Sequence, residues 1–561
     1  MSAKMSDGRF CGKMEGEHFM PKFRKATKKF VAAVIAGTML AALPLSGCND
    51  DNKKKENSQA QSSAVSEQTS VPETKFGGDT VAVSENYKVS YQVMQYLYTY
   101  VYQSFVSNNG TSMFDSSKSL DEQYYNESEN ITWHDYFINN TKTYIERILV
   151  FAEAAKAAGV SLSDEELKTI SDGFSAVEST AKERSMSTEE YIESIYGKGV
   201  TKDDIENVQK TTLLAQKYSN SIYDGFKYDD KQYEDHFSKD KTKYLIADYL
   251  SYDFPCTKTN EDGTSAVEDE ETKKKAKEYA DGLANSKNQQ EFEDYLRKYL
   301  KSNPSLVSVK KESSEASVTE EDFNHAVDDT INYTKHAKTP YSDTSDISKW
   351  VFGEGRKENE TTVLDKGSSY VVILCTKPAY RDESPTKNVR HILITPDVDS
   401  NADDKAKTEA NSKAEKKAKD ILQEWKDGKA NQEFFGELAK KYSEDPSSKD
   451  NGGLYKNVQE GQMVDTFNDW LFDKNRKVGD VGIVKTTYGY HDMYYAGEGM
   501  TVWKISVDSS LRQDDLNKKF EDFKKKYPVQ FDDEAMKSFK LVEQPGLESS
   551  AASSGANLAD Q

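Results

Sequence analysis

Residues 443–454 read SEDPSSKDNGGL, and residues 461–467 read GQMVDTF. Taken alone, Asp445 before Pro446 is a turn residue. Met463 and Phe467, four apart, share one helical face as a core pair would. What surrounds them changes the reading. Upstream, Val389-Arg390-His391-Ile392-Leu393 alternates as a strand, with His391 on the face of Val389 and Leu393. A charged helix follows, with Ala410, Ala414, Ala418, Leu422 and Trp425 on one stripe. Phe434, Phe435, Leu438, Ala439 and Tyr442 mark a second helix. Downstream, residues 482–491 read GIVKTTYGYH.

The pieces VRHIL, YSEDPSSKxxGGL, GQMxxxF and TxxGYH, in this order over about 110 residues, resemble the parvulin family of peptidyl-prolyl cis–trans isomerases. The resemblance implies that Met463, Phe467 and Leu454 line a proline pocket. It puts His391 and His491 at the paired-histidine positions, with Thr486 hydrogen-bonded among them. Asp445 stands where members carry Cys or Asp, beside the rotating carbonyl, and Tyr488 is an aromatic wall. Turning an X–Pro amide must cross ~18–20 kcal/mol of resonance and needs no covalent step. No cofactor is implied. The seven histidines are scattered, without HExxH or a Cys/His cluster, so no metal site is expected. Two departures stand out. Asp492-Met493 replaces an apolar pair, which predicts a more exposed last strand, and Gly497-Glu498-Gly499 predicts an added hairpin.

The segment has an echo. Residues 470–477 read WLFDKNRK and residues 350–357 read WVFGEGRK. Gln290-Glu291-Phe292 with Leu296 echoes Gln432-Glu433-Phe434 with Leu438. YLIADYL (244–250) stands where NVRHILI stands, and SSYVVILC (368–375) where YGYHDMYY stands. Residues 243–380 therefore read as a degenerate parvulin-like domain. In this alignment Asp248 falls near the first histidine position and Tyr370 near the second.

The chain has 561 residues, too many for one core. Its net charge of −21 fits a soluble acidic protein and argues against a nucleic-acid partner, which needs a basic face. Lys22, Arg24, Lys25, Lys28 and Lys29 precede an apolar run from Phe30 to Leu45 that suits a signal segment. Leu45-Ser46-Gly47-Cys48 resembles a bacterial lipobox, which implies lipid on Cys48 and an extracytoplasmic, membrane-anchored location. Residues 1–47 read as signal peptide with an N-terminal extension, and Met20 is a second candidate start. Residues 48–78 read as a lipidated tether; 29 residues of such chain reach about 30 Å r.m.s.. Cys256 and Cys375 are buried thiols or one disulfide.

Residues 79–242 read as helices: Val93, Leu97, Tyr100, Val101 and Phe105 recur at three and four, as do Trp133, Phe137, Tyr144, Ile148 and Phe151. Glu153-Ala154-Ala155-Lys156-x-x-Gly159-Val160-x-Leu162-Ser163 resembles the N-terminal chaperone region of SurA- and PrsA-like foldases. The foldase resemblance implies that residues 509–543 form a helix packing back on that region. Residues 544–561 read as a disordered tail.

The expected fold class is α+β multidomain: a helical SurA/PrsA-like chaperone domain, a degenerate parvulin-like domain, and a parvulin α/β isomerase domain at 388–508. The expected function is an extracytoplasmic, lipid-anchored foldase acting on unfolded exported proteins with X–Pro bonds. One rival is a holdase with neither copy active. The other is a solute-binding transport lipoprotein, which needs two α/β lobes and conflicts with the helical stretch at 79–242.

Overall fold

The computed structural model describes residues 74–115, 117–259, 266–309, 318–399, 401–539 and 541. Cys48, the apolar run, most of the tether and the tail lie outside the described residues. The described residues divide into two compact units: Tyr228–Leu511, and 74–227 together with 512–539 and 541.

The second of these is mainly helical. Helices Trp133–Ala157, Asp164–Glu183, Thr188–Tyr196 and Lys202–Gly225 each start at a Ser or Thr whose side chain caps the third helical N–H. The third residue returns the bond in every case, satisfying two otherwise orphaned donors. Their apolar stripes meet with helix Tyr91–Asn109 around Leu97, Phe137, Ile148 and Phe151. The later half of helix Val502–Lys526 adds Leu516, Phe520 and Phe523 to this core. The helical reading missed short strands. Thr80–Val83 pairs with Lys88–Ser90 on one side and Gln530–Phe531 on the other. The last partner is so distant in sequence that no local pattern announces it.

Tyr228–Leu511 holds two four-stranded antiparallel sheets with one topology. The first runs Lys335–Pro340, Ile246–Pro255, Ser369–Tyr380, Thr361–Asp365. The second runs Leu454–Val458, Lys387–Ile394, Gly489–Glu498, Val481–Thr486. Each has helices on one face: Phe292, Leu296 and Val327 pack on the first, and Ala418, Ile421 and Leu438 on the second. The opposite face of each carries a short helix, Asp346–Val351 or Asp465–Leu471.

The repeated WxFxxxRK is a structural device. Arg476 folds back over Trp470, 3.9 Å from the ring centre, and its Nε donates to the Trp470 carbonyl at 3.0 Å. Arg356 does the same over Trp350, at 3.7 Å and 3.0 Å. The stack closes the turn that sends the chain into the final two strands.

Register corrects the alignment of the two copies. Val484 opposes His491 as Leu364 opposes Val371, and His391 opposes Met493 as Ser251 opposes Ile373. The positions of His391 and His491 are thus taken by Ser251 and Val371, not by Asp248 and Tyr370. Matching YLIADYL to NVRHILI sets Ala247 where Ser251 belongs, four residues early. Asp248 instead accepts from the Lys338 N–H and the Tyr380 hydroxyl. Tyr370 points into the helix-facing core.

Three further expectations change. Asp492 and Met493 are fully buried, because their strand is internal to the sheet and packed on both faces. Gly497–Gly499 makes no hairpin: the strand runs to Glu498, the Gly499 N–H donates to the Thr386 carbonyl, and a helix starts at Val502. A Cβ on Gly499 would meet Thr386 and Asn457. That helix begins inside the expected 388–508 boundary. Cys256 and Cys375 are both free and buried.

Candidate functional site

Alternation along strand Lys387–Ile394 turns His391 to the face of Val389, away from the helices that cover Ile392 and Ile394. On the neighbouring strand His491 turns to the same face. The two rings stack at 5.2 Å and 20°, with Nδ1 to Nδ1 at 3.0 Å. Phe467, from the short helix Asp465–Leu471, stands edge-on to both, at 5.7 Å and 5.5 Å. Met463 packs with Phe467 in the same cluster.

The loop SEDPSSKDNGGL supplies the acid. Asp445 is 0% exposed, and its Oδ2 accepts from His391 Nε2 at 2.8 Å. Ser448 Oγ and Tyr455 OH, the latter at 2.9 Å, donate to that same oxygen, and the Ser447 N–H donates to Oδ1 at 3.1 Å. The loop is fastened to the strand. Gly453 accepts from the His391 N–H at 2.8 Å and has φ +74°, and a Cβ there would meet the His391 carbonyl. Only glycine suits both demands.

Thr486 closes the other end. Its Oγ1 lies 2.9 Å from His491 Nε2 and accepts from the Tyr488 N–H at 3.0 Å. Burial alone raises the Asp445 carboxyl, but hydrogen bonds from His391 and Ser448 outweigh it and hold the group well below the usual carboxylate range. Burial, then the adjacent His391, pushes His491 down to about 3, so its ring is neutral. An ionised Asp445 only accepts, which fixes the proton on His391 Nε2. For a neutral pair the chain then has one polarity. Thr486 donates to His491 Nε2, His491 Nδ1–H donates to His391 Nδ1, and His391 Nε2–H donates to Asp445.

The structure thus brings together His391, Asp445, Thr486, His491, Met463 and Phe467, with Tyr488 tied in through its backbone. Leu454 stands apart. It begins the edge strand paired with Arg390, and Tyr455, paired with Val389, takes the place beside His391. Tyr455 stacks on His391 at 5.2 Å and 28°. Tyr455 and Ser448 are the residues that sequence reasoning missed. Ser448 lies three positions after Asp445 in the quoted loop, a legible turn spacing. Tyr455 carries no such signal. Its role depends on the pairing of an edge strand 66 positions from Val389.

The hydroxyls of Ser448, Tyr455 and Thr486 and all four ring nitrogens of the two histidines are engaged within the cluster. Together they form a hydrogen-bonded polar layer packed against Phe467 and Tyr455, with Met463 in the same apolar cluster. Among the described residues no group of three or more His, Cys, Asp or Glu side chains could hold a metal ion.

Comparison with known proteins agrees with this geometry. Residues 376–493 match the model of the PPIC-type PPIase domain. Foldase protein PrsA 1 of Listeria innocua is 29% identical over 185 residues, 33% of this chain and 52% of the relative. Foldase protein PrsA of Caldanaerobacter subterraneus subsp. tengcongensis is 38% identical over 137 residues, 23% of this chain and 40% of the relative. The chain spans about half the length of the Listeria innocua relative it matches. Among solved structures, PrsA from Bacillus subtilis shares 20% identity, covering 58% of this chain and 87% of that one, with a TM-score of 0.17. A SurA-like chaperone from Campylobacter jejuni shares 27% identity over 26% of this chain and 53% of its own, with a TM-score of 0.16. Residues 376–493 are thus similar to the PPIC-type PPIase domain, in a chain with relatives named foldase protein PrsA.

Proposed function

We propose that this chain is an extracytoplasmic foldase that turns X–Pro bonds in unfolded exported proteins. The observation that carries the reading is the buried chain Thr486–His491–His391–Asp445 beneath Phe467 and Met463. A proline ring would lie against Phe467, Met463 and Tyr455, with Tyr488 at the rim. There the amide would leave bulk water, whose hydrogen bonds to the planar carbonyl oppose rotation. The site accelerates rotation to the extent that it holds the twisted amide better than either planar form. The histidines and Asp445 act by fixing the polar layer beneath Phe467, since no bond to substrate is made or broken.

The first copy keeps the Trp–Arg turn and the sheet but has Ser251 and Val371 at the histidine positions, and Ile347 at the position of Phe467. It works as a binding or spacing module without isomerase turnover. The helical unit holds clients, and lipid on Cys48 tethers the chain to the membrane. Cys48→Ser should leave the protein unprocessed or release it from the membrane fraction. Equal mass and equal detergent partitioning in both forms would refute the anchor. The isomerase reading is tested on the full chain by protease-coupled cleavage of a proline peptide. His491→Ala should lower turnover by about tenfold or more, and unchanged turnover in a folded variant would refute it.

A further inference from the structure

Three donors converge on one oxygen of Asp445: His391 Nε2, the Ser448 hydroxyl and the Tyr455 hydroxyl. Ser448 Oγ also lies 3.0 Å from His391 Nε2, so of the two hydroxyl donors Tyr455 is the one that also holds the imidazole by its face. Its ring lies on the His391 imidazole while its hydroxyl reaches the carboxylate. We propose that Tyr455 is a positioning residue that sets the hydrogen-bond polarity of the whole chain from Asp445 to Thr486.

The argument starts from the cost of a buried anion. A carboxylate out of water must be surrounded by donors or be neutralised. Asp445 has no exposed surface, and Oδ1 receives only the Ser447 N–H. Oδ2 therefore carries most of the compensation. His391 and Ser448 hold Asp445 ionised, and Tyr455 adds a third donor that aims Oδ2 at His391, so in a neutral His391 ring Nε2 holds the proton and Nδ1 accepts. His491 then has to donate from Nδ1, and its Nε2 has to accept from Thr486. The aim of one carboxylate at the head of the chain, held in part by the Tyr455 hydroxyl, thereby determines the tautomers of two rings. Without it, His391 can take its proton on Nδ1, where it confronts the Nδ1–H of His491 donor to donor at 3.0 Å. The chain must then reverse or break, and the polar layer loses its single arrangement.

The sister sheet supplies the contrast. Register places His336 where Tyr455 stands, since Tyr249 opposes His336 as Val389 opposes Tyr455. His336 Nε2 lies 2.9 Å from Ser251 Oγ, the residue at the His391 position. In both sheets the edge residue at this register reaches the internal strand's polar group. In the second it also reaches a carboxylate.

The proposal rests on the isomerase reading for turnover but not for its tautomers, and the experiment separates the two. In the full chain labelled with 15N-histidine, imidazole NMR should show His391 protonated at Nε2 and His491 at Nδ1, assigned by His391→Gln and His491→Gln. Tyr455→Phe keeps the stacked ring and removes only the hydroxyl. It should give mixed tautomers at both rings and lower kcat for a proline peptide about tenfold, with KM within about twofold. In an Asp445→Asn background, adding Tyr455→Phe should change kcat less than about twofold, because the hydroxyl no longer faces an anion. Tyr455→Phe with unaltered tautomers would overturn the proposal, whatever its effect on turnover, and this readout stands even where Asp445→Asn does not fold. Wild-type protein with the described tautomers and no turnover would sink the isomerase reading and leave the role of Tyr455 intact.

Discussion

Asp492 shows how much one side chain can set. It is 0% exposed, and among the described residues neither of its oxygens has a hydrogen-bond partner. It lies one position after His491 and faces away from the site, opposite Ile392 and Ile483. The titratable groups on that face are Tyr490 and Tyr494 of its own strand, Tyr442, Arg390 and Lys485. Arg390 is spent on the carbonyls of Asn451 and Gly452, and Lys485 lies over the Tyr490 ring. The covering helix presents Ala414, Ala418 and Ile421. Burial alone pushes the carboxyl up to about 8. A folded value above the unfolded one means that stability is complete at low pH and is lost as pH rises through about 8. The slope is about 1.4 kcal/mol per pH unit between roughly 4 and 8. Thermal melts should therefore fall from pH 5 to pH 8 in the unit that holds Asp492. Asp492→Val, which copies Val372 at the same register of the sister sheet, should flatten that fall and raise the midpoint most at pH 8. A wild-type midpoint indifferent to pH would show that the carboxyl finds a partner. Nothing in the sequence announced this residue as buried, since a carboxylate in a strand reads as solvent-facing.

At the scale of elements, the turns carry the most testable chemistry. Removing the Arg476 side chain deletes a stacked cation and a hydrogen bond to the Trp470 carbonyl, so Arg476→Ala should cost about 1–2 kcal/mol. Denaturant midpoints would check this, and a loss below measurement would make the repeated motif decorative. Gly453→Ala should be worse, because it strains a left-handed residue and drives a methyl into the His391 carbonyl. It should lower both stability and turnover, and a folded variant of full activity would contradict the fastening role given to that loop. These elements also show what sequence can yield. The strand around His391 and the helical stripe from Ala410 to Trp425 were legible, because alternation and three-four spacing report local geometry; Met463 does pack with Phe467, but it lies before the helix Asp465–Leu471, so the pair is not one helical face. The register between the copies was not. Pairing is decided across strands 66 to more than 100 positions apart, and a slip moves every side chain to another neighbour or another face. For the same reason Tyr455 was invisible while Asp445 was not.

For the whole molecule, the account assigns turnover to one of two sheets that share a topology. Both retain the Trp–Arg turn and an apolar floor, built from Val371, Ile373 and Val351 in the first and from Met493, Val484 and Leu471 in the second. Only the second has the paired histidines and Phe467. The most direct test is protease-coupled isomerisation of a proline peptide by the full chain, wild type against Phe467→Ala, beside suppression of client aggregation by both. The account predicts clear acceleration by the wild type and, for Phe467→Ala, a rate within about twofold of the uncatalysed one, with aggregation suppression unchanged. That rate also reports on the first sheet, whose residues are intact in the variant. Wild-type protein no faster than buffer would contradict the isomerase assignment, and a folded Phe467→Ala that keeps most of the turnover would contradict the assignment of that activity to the second sheet.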